Sequence, residues 1–170
     1  MEKFSELNDY FEYLAAQHKD IAHTPSDKHF YRFELDDVLT SMGDINFPAL
    51  ILESYDFNFQ DARSDNVLKN RNGAFIIIDY EGDKGNHNRI TQIYDECEEI
   101  GDEIIVRILN DKKKVSVPAV RNFNIAETTG NLVANDAKGY YGVRYMFTIT
   151  SPRNNDVDTT KWSDNGSKPE

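Results

Sequence analysis

Hydrophobic positions alternate most regularly near the end of the chain. Tyr141, Val143, Tyr145, Phe147 and Ile149 recur at every second residue, with Gly142, Arg144, Met146, Thr148 and Thr150 between them. Period two puts the first set on one face of a strand over Tyr140–Thr150, which Ser151-Pro152 ends. A half-buried strand needs a sheet to join. Upstream, Phe47–Tyr55 starts a strand with Pro48 near its edge, where a missing N–H is tolerated. Tyr55, Phe57 and Phe59 alternate with polar residues, which carries that strand to about Gln60 with room for a bulge. Ala74–Tyr80 is a nearly continuous apolar run, the pattern of a central strand covered on both faces. Between the two, Asp61–Asn72 is polar and ends at Asn72-Gly73, a turn signal. Val120–Glu127 alternates as a third strand, and Thr128–Gly139 is a polar connector to the last one.

Two segments carry helical spacing instead. Phe4, Leu7, Phe11, Leu14 and His18 predict a helix over Ser5–Lys19, with Glu6 and Asp9 near its start where the dipole favours negative charge. Ile90, Ile93, Cys97, Ile100, Ile104 and Ile108 mark one stripe of a long helix over Asn88–Asn110, despite Gly101. Asp95, Glu96, Glu98, Glu99, Asp102 and Glu103 form its acidic outer face, and Lys112-Lys113-Lys114 follows its end. Phe30–Phe33 reads as a short strand and Glu34–Met42 as a short helix stopped at Gly43. The expected fold is α+β: a four-stranded, mainly antiparallel sheet of two hairpins, packed on one face against the long helix and the N-terminal helix. The domain spans residues 1–152, and 153–170 form a polar C-terminal tail.

Composition narrows the function classes. The 170 residues, 39% of them hydrophobic, suit one domain with one core. No run reaches the roughly 18 apolar residues of a membrane helix, and Met1–Glu6 lacks the apolar core of a signal peptide, so cytoplasmic residence is expected. Nineteen basic against 30 acidic residues give a formal charge of -11, which opposes general binding to nucleic acid. An acidic passage would instead let a duplex slide without sticking. The single Cys97 excludes an internal disulfide and a cysteine-rich zinc site, and its place in a helical stripe predicts a buried, inert thiol.

No catalytic constellation emerges. His18, His23, His29 and His87 lack the HExxH spacing, and His18 and His23 straddle a helix end. Asp79, Glu81 and Asp83 alternate like the start of a calcium loop, but Lys84 and Ile90 stand where Gly and a bidentate Glu are required. Gly82 and Gly85 match neither nucleotide-binding spacing. Neither Asp36-Asp37 nor Glu98-Glu99 forms a site by itself, because adjacent helical residues point apart. No GxSxG occurs. The 10 Phe, 9 Tyr and Trp162 exceed what a core needs, and the surplus in loops and strand ends fits a protein contact surface. The two polar connectors are longer than hairpins require, as arms reaching neighbours would be.

The arrangement of the N-terminal helix, Phe47–Glu53, Gly73–Asp79, the Ile90–Asn110 helix and Gly139–Ile149 resembles the tail terminator (tail completion) proteins of tailed bacteriophages. The resemblance implies a structural virion protein without cofactor or catalysis, made in the host cytoplasm and resident in the tail. It implies a homo-oligomeric ring, usually a hexamer, that caps the tail tube, meets the head–tail connector and lets double-stranded DNA cross its lumen unbound. The candidate contact residues are Arg63, Lys69 and Arg71 in the first connector, Thr129, Asn131, Asn135 and Lys138 in the second, and Trp162 in the tail. Competing readings are a head–tail stopper or minor tail component, a cytoplasmic adaptor with no phage role, and a small enzyme using His18, His23 and His29 for a metal.

Overall fold

The computed structural model describes residues 3–32, 45–61, 67–153 and 156–163. The fold is α+β, with two α-helices among the described residues and one mixed sheet of six strands. Helix α1 (Phe4–Gln17) begins where the Glu6 carboxylate accepts a hydrogen bond from the Lys3 backbone N–H, and it buries Leu7, Tyr10, Phe11 and Leu14. Strand β1 (Phe30–Arg32) follows; the short helix expected over 34–42, like Phe33, lies outside the described residues.

The long strand expected over Phe47–Gln60 is broken at residues 53–55 into β2 (Ala49–Leu52) and β3 (Asp56–Asp61). Both pieces pair antiparallel with β4 (Val67–Tyr80), β2 along Phe75–Ile78 and β3 along Val67–Asn72. Helix α2 (His87–Asp111) starts at Asn86, whose side chain accepts from the Arg89 N–H. After a short 3-10 turn at Pro118–Val120 come β5 (Phe123–Asn135) and β6 (Tyr140–Arg153). The sheet order is β1-β2-β4-β6-β5, with β3 beside β4 beyond the end of β2, and β1 parallel to β2.

Four expectations give way to the structure. The sheet has six strands rather than four, because the first arm of the first hairpin breaks in two and Phe30–Arg32 adds a parallel edge. Asn72-Gly73 is not a turn: both residues sit inside β4, Asn72 paired with β3 and β6 and Gly73 with β6, and residues 62–66 lie outside the described residues. Pairing on both sides satisfies the backbone of this polar stretch, and Asn70–Thr150 (2.9 Å) and Asn72–Thr148 (3.2 Å) bond across strands. The connector Thr128–Gly139 shortens likewise, since β5 runs to Asn135 and the chain reverses over residues 136–139, where Gly139 takes the left-handed φ of 74° that favours glycine. Strand β6 continues past Ser151-Pro152 to Arg153, because β4 remains as a partner.

The main core lies between the helices and one sheet face. Phe11, Leu14, Ile93, Cys97, Ile104 and Ile108 meet Leu50, Phe75, Ile77, Tyr141, Val143, Phe147 and Ile149. The alternation in β6 therefore faces as its sequence dictates, and each fully buried Leu, Ile or Phe contributes about 1.5–3 kcal/mol. Residues of opposite parity, Ile51, Ile76 and Ile78, form a smaller cluster with Tyr31 and Ala49 on the other face. That matches a central strand covered on both sides. No described helix is long and apolar enough to cross a membrane.

Candidate functional site

Register decides where the candidate contact residues lie. Strand β4 residues 67–72 pair with β6 residues 148–153, whereas β5 residues 129–135 pair with β6 residues 140–146. Asp61 and Val67 therefore lie beside Arg153, and Asn135 beside Tyr140, at opposite ends of a 14-residue strand about 45 Å long at 3.3 Å per residue. Lys69 and Arg71 are at one end. Thr129, Asn131 and Asn135 run along the outer strand toward the other, and Lys138 lies in its turn. Arg63 lies outside the described residues. Trp162, 60% exposed, follows the 3-10 turn Thr159–Lys161.

At the first end the structure assembles a basic and aromatic cluster. Arg71 pairs with Phe57 and Lys69 with Phe59, so all four side chains share the helix-side face. Phe57 and Phe59 are 54% and 53% exposed, with ring centroids 5.8 Å apart at 79°. The Lys69 ammonium sits 3.8 Å from the Phe57 centroid and 5.8 Å from that of Phe59, and the Arg153 guanidinium is 5.9 Å from Phe59. Each such approach is attractive through the ring quadrupole. Desolvation over the rings lowers the Lys69 pKa from its ordinary value, and the charges of Arg71 and Arg153 lower it further. Arg71 itself is buried and donates to the Ser151 hydroxyl at 2.7 Å.

Next to these groups opens a groove of about 630 Å³ to which Lys69, Arg71, Arg121, Arg153 and Lys161 contribute cations. Glu6, Asp156 and Asp158 line it as well, and Lys161 pairs with Asp158 at 3.0 Å. A chain of net charge -11 thus concentrates positive charge at one sheet end. Sequence reading found Lys69 and Arg71 through the local charge of the first connector. It missed Arg121, Arg153 and Lys161, which arrive from segments 50 or more residues away and show no local pattern.

The other candidates resolve into separate roles. His18 contacts Glu103 at 2.9 Å, His23 Nδ1 accepts from the backbone N–H groups of His29 and Phe30, and His29 Nδ1 meets the Pro48 carbonyl at 2.8 Å. Each ring is engaged by a different partner, and no group of three metal-ligating side chains forms among the described residues. A second, acidic cleft of about 410 Å³ is lined by Asp79, Glu96, Glu99 and Glu103 beside Cys97. Burial, with Asp79 and Glu96 nearby, pushes the Cys97 thiol up to about 12, so it stays protonated and unreactive. Asp79 is raised by burial and held by Arg89 at 3.2 Å, which also reaches Glu96 at 2.9 Å. Glu81 and Asp83 accept from the N–H groups of Asp83 and Gly85, which organises the turn before α2.

No family model matches this chain, and no curated protein matches it significantly.

Proposed function

We propose that this protein is a ring-forming structural subunit of a bacteriophage tail, acting as the terminator that caps the tube and meets the head connector. The observation that carries this reading is where the exposed apolar side chains gather. Phe57 and Phe59 lie on β3, and Ile125 and Leu132, 46% and 61% exposed, lie on β5. These strands occupy opposite edges of the sheet. Different apolar groups exposed on different edges give each subunit unlike surfaces, and contacts between unlike surfaces close into a ring when their rotation allows. From Thr128 to Asn135 the β5 edge also lacks the charges and prolines that blunt an exposed strand against pairing.

Two chemically unlike sheet ends fit a subunit that must match a tube on one side and a connector on the other. One end is rich in basic residues, among them Arg153 and Lys161, and the other closes in the β5–β6 turn with Asp136 and Lys138 beside Glu81. Termination then follows from geometry, because the connector-facing side offers no surface on which the tube can continue.

Sedimentation of the purified chain, followed by electron microscopy, tests the proposal. Closed rings several-fold heavier than the monomer, lost on Phe57→Ser with Leu132→Ser, are expected. A chain that remains monomeric with and without tube ends overturns it.

A further inference from the structure

Positive charge collects in one groove, while negative charge collects on α2, and neither neutralises the other within the molecule. On α2, Asp95, Glu99, Asp102 and Val106 recur at spacings of three and four, so they share one side of the helix with Glu98 beside them. All five are exposed, Val106 to 57%. Asp95, Glu98 and Glu99 form no ion pair among the described residues, and Asp102 accepts only from the Tyr145 hydroxyl, at 2.9 Å. In the groove, Lys69 and Arg121 likewise have no ion-pair partner among the described residues. No residue of α2 lines the groove.

We infer that the groove is the receptor for the acidic face of α2 from a second copy of this chain. The match has two parts. Lys69 and Arg121 meet the carboxylates of Asp95, Glu98 and Glu99, and the exposed Phe57 and Phe59 rings beside the groove receive Val106, the exposed large apolar group on that side of the helix. From Asp95 to Val106 the stripe spans about 16 Å at 1.5 Å per residue, a length suited to the end of the sheet. A second chain is favoured over nucleic acid because Glu6, Asp156 and Asp158 also line the groove. A continuous phosphate backbone would be repelled there, whereas separate carboxylates can seat between those acids. The contact is head-to-tail: groove and helix are different surfaces, so each copy offers one to each neighbour. It rests on the ring reading and supplies the subunit contact within it.

The test uses two charge-reversed full-length variants, Lys69→Glu/Arg121→Glu and Glu98→Lys/Glu99→Lys, with circular dichroism confirming that each folds. Wild type should self-associate and weaken about tenfold as NaCl rises from about 0.05 to about 0.5 M. Each variant alone should sediment as a monomer. Mixed in equal amounts they should reassemble, because every junction then pairs opposite charges again; failure of the mixture overturns the contact. Rings that persist in both single preparations overturn this contact and leave the terminator reading standing. Open head-to-tail oligomers that never close uphold the contact and count against the ring. A labelled single-stranded oligonucleotide that binds wild type but not Lys69→Glu/Arg121→Glu would assign the groove to nucleic acid and overturn the inference.

Discussion

The Tyr145 ring lies directly against the backbone of α2 at Gly101. A Cβ at position 101 would overlap the ring's Cε2, Cζ and hydroxyl oxygen. Tyr145 is held there by stacking on Phe75, with centroids 5.0 Å apart and planes at 7°, and by its hydroxyl, which donates toward the Asp102 carboxylate (2.9 Å) and the Glu98 carbonyl (3.0 Å). Glycine inside a helix costs about 1 kcal/mol relative to alanine, so this position accepts a propensity loss to bring helix and sheet together.

Gly101→Ala should therefore destabilise the protein by about 1–3 kcal/mol, as overpacking does, although alanine is the better helix former. Urea unfolding measures the loss. Gly101→Ala combined with Tyr145→Leu should cost less than the sum of the two single changes, because the smaller side chain removes the clash. Additive losses would refute this account of the glycine.

Asp111 ties the helices together. It is buried and accepts from Arg107 Nε at 2.7 Å, Lys114 Nζ at 2.6 Å and the Tyr10 hydroxyl at 3.1 Å. Burial alone would raise its pKa, but the bonds from Lys114, Arg107 and Tyr10 outweigh it and hold the carboxyl below its ordinary value. A depressed carboxyl adds stability above the unfolded-state pKa of about 3.9 and loses it as pH falls through the folded value. Asp111→Asn should lower stability at pH 7 by about 2 kcal/mol, and its unfolding free energy should fall less steeply than wild type below about pH 4. Denaturant titrations across that range check both statements.

Glu53, at the break between β2 and β3, is buried and meets Arg144 Nε and Nη2 at 2.7 Å each. Removing the arginine alone leaves a buried carboxylate unpaired, so Arg144→Leu should cost about 3 kcal/mol. Replacing both, as Glu53→Leu/Arg144→Leu, should recover most of that stability. A double variant less stable than Arg144→Leu would contradict the burial argument.

In the groove, Arg153→Gln removes one of the charges that disfavour the Lys69 ammonium. The Lys69 pKa should rise toward its ordinary value, read by NMR titration of that side chain. No change would mean that desolvation and Arg71 set it without Arg153.

Local pattern determined much of this protein. Strict alternation in Tyr141–Ile149 and the isoleucine stripe of α2 declare their buried faces, because a strand or helix exposes sides at periods of 2 and 3.6 whatever its partners are. Acidic excess and a buried Cys97 were equally legible. What residue order could not settle was pairing. Asn72-Gly73 carries turn chemistry, yet β6 pairs with both residues and β3 with Asn72, which holds them extended, and only the assembled sheet supplies those partners. The break at residues 53–55 and the parallel addition of Phe30–Arg32 also depend on neighbours distant in sequence. The groove is tertiary in the same sense. Lys69, Arg121, Arg153 and Lys161 form one field only because β4, β6 and the segments after α2 and β6 converge, and electrostatic proximity is set by distance in space rather than along the chain.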